Sequence, residues 1–403
     1  MAYMRTPPLF ELDCQAMHYD WGKPGKESLV AQLLLEQRID STLPYAELWI
    51  GIHPKGPSRV KFGDGALLSE VLKKNQKLLG PYTRKRWGTL PFLLKVLSIA
   101  TPLSIQMHPD KSWAETLHEK DPDHYPDDNH KPEIALALSG VETLYGFENK
   151  RVLSRVWQQY PLLRSFSKTR KGSDSINVGE QEEEIALENL LPVLLTLPKN
   201  KGKPLLQKLY TQIQQEPHPD EKEQLFLSLY PRFAQDLGLL FLFFMEKLPI
   251  ASQTALYLKT NQLHAYLSGD LVECMANSDN VIRAGITDKY KDIKAMLTRL
   301  SYHEEGPVLT AGISESNAIT TYPTPAEEFV LENIQLPHNK SIHENKTKSP
   351  AILLTLSGKG TLASEQTKFS LQKGSVFFIG AHQTYSLSTP QQLHLVRATV
   401  PVP

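Results

Sequence analysis

The periodicity of this chain changes twice along its length, and that change constrains the fold more than any single motif. From Leu9 to about Gly146, short apolar runs of mixed period are broken by clusters such as Gly22-Lys23-Pro24-Gly25, Pro54-Lys55-Gly56-Pro57 and Asp127-Asp128-Asn129. Gly, Pro and Asn/Asp supply turn conformations, so the region reads as short strands of a barrel or sandwich. Helices are expected within it over 67–75 and 111–120. Between about 150 and 248 the texture becomes Leu-rich with helical spacing over 187–197, 204–215 and 220–247, interrupted by a polar link at 168–184. This block reads as a helical domain inserted into a β framework, a scaffold without chemistry of its own. Strand signals return at Ala255-Leu256-Tyr257-Leu258, Leu271-Val272-Glu273-Cys274-Met275 and Val281-Ile282-Arg283. They continue at 351–356, 361–362 and 375–379, with turns expected at Ser357-Gly358-Lys359-Gly360 and Lys373-Gly374, which argues for a second antiparallel barrel.

A chain of 403 residues is long enough for two or three domains. Lys plus Arg and Asp plus Glu both total 44, so no global field attracts nucleic acid or an anionic membrane. Two cysteines, Cys14 and Cys274, exclude a disulfide scaffold or a thiolate zinc module and suit a reducing compartment. Arg5 is followed by no apolar stretch, and Glu11 and Asp13 come soon after, so export is not expected. The most apolar run, 237–245, is about half the length needed to cross a bilayer and is bracketed by Asp236 and Glu246; it reads as a buried helix.

The chemistry concentrates in Ser104-Ile105-Gln106-Met107-His108-Pro109-Asp110-Lys111 and, further on, Asn129-His130-Lys131-Pro132-Glu133. On a strand, Gln106 and His108 leave one face while Ile105 and Met107 turn to the other. An amide oxygen, an imidazole nitrogen and the Glu133 carboxylate are potential metal ligands, and His264 is the fourth candidate. Such mixed N/O donors suit manganese, cobalt, nickel or iron as well as zinc. In His264-Ala265-Tyr266-Leu267-Ser268-Gly269-Asp270, His264 and Tyr266 share a face ahead of an expected Ser-Gly-Asp turn. Glu273 then interrupts the apolar face of Leu271 and Met275, and a buried carboxylate needs a partner. Asp279 and Arg283 follow, with Lys289 beyond; from the residues alone they read as an ion pair between strands.

These blocks, in this order, resemble the type I phosphomannose isomerase family of the cupin superfamily. The resemblance also rests on Tyr19-Asp20-Trp21-Gly22-Lys23, on Ala46-Glu47-Leu48-Trp49-Ile50-Gly51 with His53-Pro54-Lys55-Gly56-Pro57-Ser58, and on Leu90-Pro91-Phe92-Leu93-Leu94-Lys95-Val96-Leu97. It implies a mostly β fold with two cupin-type jelly-roll barrels plus an inserted helical domain. The expected divisions are 1–149 for the N-terminal catalytic part, 150–248 for the insertion, 249–320 for completion of that barrel and 321–403 for the C-terminal barrel. It further implies one Zn2+ held by Gln106, His108, Glu133 and His264, and Arg283 as a catalytic residue. The implied reaction is reversible, metal-assisted isomerisation of D-mannose 6-phosphate and D-fructose 6-phosphate through an enediolate, linked to GDP-mannose precursors or glycolysis.

Lys131, Glu273 and Asp279 are the candidates for proton transfer. Ser104, Lys95, Lys111, Lys289 and Tyr266 are candidates for substrate contact, and His130 for ring opening. The expected setting is a cytoplasmic monomer acting on a small sugar phosphate, without nucleic-acid or membrane partners. Two other readings are weighed: a non-catalytic cupin that senses sugar phosphate, and an iron oxygenase, whose usual ligand set would not employ Gln106. Leu263, where many members carry Pro, departs from the family pattern. Gly380-Ala381-His382 is similar to a cupin turn but lacks companion ligands, so no metal is expected in the C-terminal barrel.

Overall fold

A computed structural model describes residues 6–34, 38–164, 187–302 and 306–403, and the polar link expected at 168–184 lies outside them. Among the described residues the protein is mostly β with several helices: two eleven-stranded sheets and a two-stranded one, none with a strand path that closes on itself. One eleven-stranded sheet runs through Val308–Thr310, Ala255–Leu258, Glu133–Ala137, His264–Ala276, Phe92–Ile99, Glu47–Ile50 and Gln15–Met17. The other is built on Val330–Leu336, Leu393–Thr399, Ala351–Ser364 and Val376–Ile379, and it takes in the N-terminal strand Leu9–Asp13, whose Leu9 faces Ile379. The two ends of the chain therefore share a layer.

Alternation along the strands separates two environments. Leu94, Val96, Ile134, Leu136, Val272 and Cys274 turn to one side and pack with Ile352, Leu354, Phe378 and Val396 of the second sheet. Leu97, Ala135 and Leu271 turn to the other with Tyr266, and Glu47, Lys95, Glu133 and Glu273 share that face by period-2 spacing. Phe92–Ile99 is buried at every position, which explains why it reads as a continuous apolar run broken only by Lys95 and Ser98.

The 13-residue strand His264–Ala276 is the pivot. Its first part pairs with Val141–Tyr145 and with Gln106, and its second with Phe92–Ile99 and Glu133–Ala137. The expected turn at Ser268-Gly269-Asp270 is instead a bend inside this strand. Gly269 adopts φ 114, and a Cβ there would lie 2.7 Å from the Gly140 carbonyl oxygen. Ser357-Gly358-Lys359-Gly360 is likewise no chain reversal but part of Ala351–Ser364, with a register shift between Thr355 and Ser357. A Cβ on Gly358 would lie 2.2 Å from Gln392 O, so the glycine serves a close crossing.

The expected helices over 67–75 and 111–120 appear as Leu68–Lys74 and Lys111–Lys120, the latter capped by Asp110, which accepts from Trp113 N at 2.9 Å. In the helical block, Lys150–Gln159, Leu187–Leu195, Lys199–Gln214 and Glu221–Phe233 pack their apolar stripes together. The expected helix over 220–247 ends at Phe233. The run 237–245 divides into a 3-10 turn, Leu237–Leu240, and one turn of helix, Phe241–Phe244. Glu246–Ile250 is a strand because it pairs with Val141–Tyr145, a tertiary contact that overrides local helical spacing. Ile105, Met107, Ile282 and Ala284 belong to the same core as Leu239 to Met245, so the helical block backs directly onto the strands that carry the site.

Candidate active site and metal centre

Three adjacent strands set the first row of the site. Gln106 in Ile105–Met107 faces His264 on one side and Arg283 on the other, and directly opposed residues project to the same face of a sheet. Ile105 and Met107 turn the other way and are fully buried, as the alternation predicts. His108 follows Gln106 by two positions, and Glu133 opens the next strand opposite Met275 and Leu258.

His108, Glu133 and His264 bring one ligand atom each to within 4.8 Å of one another. His108 Nε2 is 3.3 Å and His264 Nε2 3.7 Å from Glu133 Oε2. All three atoms are buried and have no hydrogen-bond partner among the described residues. Leaving a buried polar atom unsatisfied costs about 1–3 kcal/mol, so three converging on one point indicate a missing common partner. The opposite ring nitrogens are committed: His108 Nδ1 donates to Asn280 O at 2.8 Å and His264 Nδ1 to Gln262 O at 3.1 Å. That fixes the tautomer that leaves each Nε2 lone pair pointing into the cluster. Burial pushes both imidazoles toward neutrality, His264 to about 4. Burial opposes the Glu133 charge, but its carboxyl lies well below the usual range, with the Lys131 ammonium 3.1 Å from Oε1 favouring the anion. Two neutral imidazoles, a carboxylate and the Gln106 amide oxygen, which accepts from Ser104 Oγ at 3.1 Å, suit a divalent ion such as zinc.

Beside the cluster lies a second buried group. Trp49, Lys95 and Glu273 are successive partners across three strands. Lys95 Nζ is 3.5 Å from both Glu47 Oε2 and Glu273 Oε2, and 4.8 Å from the Trp49 ring centre. Tyr266 OH donates to Glu273 Oε1 at 3.0 Å, and Trp49 Nε1 donates to Glu47. Burial, and then the Glu133 charge, push Glu273 up to about 7. Burial disfavours the Lys95 cation, but Glu47 and Glu273 hold its pKa above the ordinary value, so Lys95 stays charged.

Asp279 Oδ1 lies 3.3 Å from His53 Nε2 and Oδ2 2.9 Å from Lys55 Nζ. Those contacts outweigh burial and hold its carboxyl well below the usual range. Arg283 is half-buried and, among the described residues, has no ion-pair partner; burial lowers its pKa. Lys289 Nζ sits 5.5 Å from the Tyr19 ring centre, its pKa lowered by burial and by Arg283. Two sequence candidates are tied elsewhere. Lys111 Nζ donates to Asp128 O at 2.8 Å, and His130 Nε2 meets Glu328 Oε1 at 2.8 Å.

Sequence reasoning overlooked Glu47 and Asp127. Glu47 lies two positions before Trp49 and so shares its face, a period-2 signal already present in the motif. Asp127 accepts from Ser278 Oγ at 2.8 Å and from Asp279 N at 2.7 Å, and its carbonyl accepts from Asn280 Nδ2 at 2.7 Å. It thereby fixes the Asn280 carbonyl that orients His108, although its Asp-Asp-Asn setting reads only as a loop.

Residues 9–150 match the family described as phosphomannose isomerase type I, catalytic domain. Mannose-6-phosphate isomerase 2 of Arabidopsis thaliana is 38% identical over 389 residues, spanning 92% of this chain and 88% of the relative. The mannose-6-phosphate isomerase of Homo sapiens is 34% identical over 421 residues, with 98% and 99% covered. A crystal structure of mannose 6-phosphate isomerase in a holo, zinc-bound form superposes with a TM-score of 0.81 at 26% identity, covering 98% of this chain and all of that one. With the ligand geometry and relatives of this similarity over nearly its whole length, the chain belongs to the type I phosphomannose isomerase family.

Proposed function

We propose that this protein interconverts D-mannose 6-phosphate and D-fructose 6-phosphate with one zinc ion held by Gln106, His108, Glu133 and His264. The observation that carries this reading is the convergence of three buried, unpartnered ligand atoms from His108, Glu133 and His264 within 4.8 Å. When bound, zinc supplies Lewis-acid polarisation of substrate oxygens.

Moving a proton between C1 and C2 requires a base and a cation for the enediolate. Arg283, which keeps its charge and has no ion-pair partner among the described residues, is assigned to the enediolate. Among the proton-transfer candidates Glu273 is favoured, because a carboxyl raised to about 7 is matched to the operating pH of a general base. Asp279, held as an anion by His53 and Lys55, is less basic, and Lys131 is engaged with Glu133. Ser104, Lys289, Tyr266, Lys95 and Lys111 remain the proposed substrate-contacting set, with His130 for ring opening.

The fold reading that accompanies this function is two cupin-type jelly-roll barrels with a helical domain, divided at 1–149, 150–248, 249–320 and 321–403. The exchange of Leu9–Asp13 into the C-terminal sheet means that this first strand would serve the second barrel. A cytoplasmic monomer producing or consuming sugar phosphate for GDP-mannose synthesis is the setting we infer. No helix among the described residues is long and apolar enough to cross a membrane.

The test is conversion of mannose 6-phosphate to fructose 6-phosphate by the purified chain, before and after chelation and with zinc returned. Turnover that disappears with the chelator and returns with zinc is expected. Tight binding of the sugar phosphate by the zinc-loaded protein without turnover would support a sensor instead.

A further inference from the structure

The helical block reads in sequence as a scaffold, yet it touches the strand that carries Arg283. Two residues beyond Arg283, Gly285 meets Gly238 backbone to backbone. A Cβ added to Gly238 would lie 2.2 Å from Gly285 Cα and 2.8 Å from Ala284 O, and one added to Gly285 would lie 2.4 Å from Gly238 Cα. No side chain fits between them. At the same point the Ile282–Gly285 strand slips register against Ile105–Met107, with Arg283 opposite Gln106 but Gly285 opposite Ile105. Such an irregularity re-aims the neighbouring side chain.

The next residue, Ile286, adopts φ 55 while buried. A β-branched residue in the left-handed region carries strain that persists only where the surroundings hold it. Asp236, two residues before Gly238, provides that hold. Its Oδ1 accepts from Gly238 N at 2.8 Å and from Lys291 Nζ at 2.5 Å, and its Oδ2 accepts from Thr287 N at 3.4 Å. A single buried carboxylate thus ties the 3-10 turn of the helical block to both the start and the end of the segment that follows Arg283.

We infer that Gly238 and Asp236 are positioning residues for Arg283: the helical block sets where the Arg283 strand lies against Gln106. This rests on the proposed role of Arg283 in turnover. Gly238→Ala forces the two backbones apart, and a displacement of about 1 Å at a catalytic group can cost on the order of a hundredfold.

The test is a double-mutant comparison. Gly238→Ala, and Lys291→Met in case the first variant does not fold, are each measured in the parent chain and in Arg283→Ala, with kcat, KM and zinc content determined throughout. The expected result is a roughly tenfold to hundredfold fall in kcat for Gly238→Ala in the parent chain, with KM and zinc content retained. A smaller fall in the same direction is expected for Lys291→Met, and neither substitution should cost anything further in Arg283→Ala, because groups acting through one residue are not additive. An equal loss in both backgrounds, a loss that tracks zinc content, or unchanged kcat in both folded variants would overturn the inference. Full turnover by Arg283→Ala alone would remove the role of Arg283 itself, a separate failure visible before either second substitution is made.

Discussion

Arg283 and Gln106 face each other across adjacent antiparallel strands, and His264 faces Gln106 from the strand beyond. Two proposed ligands and a guanidinium without an ion-pair partner among the described residues are therefore placed by backbone pairing rather than by loop conformation. Arg283→Ala is predicted to lower kcat by about a hundredfold to a thousandfold, the usual cost of removing one charge-stabilising donor, while zinc content stays at the parent level. His264→Ala is predicted to lose zinc and turnover together. Metal analysis beside steady-state kinetics checks both, and a zinc-replete, active His264→Ala protein would contradict the ligand assignment.

Glu273 predicts two pH effects of opposite usefulness. As the proposed base it must be deprotonated, so kcat/KM should rise with pH as Glu273, whose pKa burial raises above the ordinary carboxylate value, loses its proton, and Glu273→Gln should remove that limb along with most of the rate. For stability the sign runs the other way. The folded-state pKa of about 7 lies above the ordinary 4.5, so between those values the folded chain holds a proton that the unfolded chain has released, and stability falls as pH rises. Denaturation of the metal-free protein should show Glu273→Gln gaining stability relative to the parent at pH above 7 compared with pH below 4.5.

Lys95 is the only cation within salt-bridge distance of both Glu47 and Glu273 among the described residues. Lys95→Met leaves two buried carboxylates without it. A loss of about 3–5 kcal/mol is expected, the cost of removing one partner from a buried ion pair. Urea denaturation at neutral pH would measure it, and a loss within 0.5 kcal/mol or so, typical of a surface site, would show that the group is not held as described.

Much of this site was legible because it is written at period 2. Ile105, Gln106, Met107 and His108 sort themselves onto opposite faces from alternation alone, and donor chemistry makes Gln106, His108, Glu133 and His264 the candidates for a ligand set. Glu133 and His264 join it only through strand pairing over more than a hundred positions, which no local pattern specifies. Glu47 carries the same period-2 signal as Trp49, but its ion-pair partner, Lys95, comes from a neighbouring strand that local spacing does not point to. The helical spacing over 220–247 misled at Glu246, where pairing with Tyr145 decides the conformation. Gly269 and Gly358 read as turns because Gly is permissive, whereas their use here is to let two chains approach.

Gly269 offers a test of that distinction. With φ 114 and the Gly140 carbonyl oxygen 2.7 Å from any added Cβ, Gly269→Ala should cost about 1–3 kcal/mol. Because the bend joins the His264 end of the strand to the Glu273 end, zinc affinity should fall as well. Thermal melts with and without zinc would separate the two effects; an unchanged apparent zinc affinity would mean that the bend does not set the ligand geometry.

The most direct test of the central claim is titration of zinc into metal-free protein with isomerisation of mannose 6-phosphate followed at each addition. One zinc held by Gln106, His108, Glu133 and His264 predicts activity that rises linearly and breaks at one equivalent per chain. Full activity before any zinc is added, or a zinc-saturated chain that never isomerises the sugar phosphate, would contradict it.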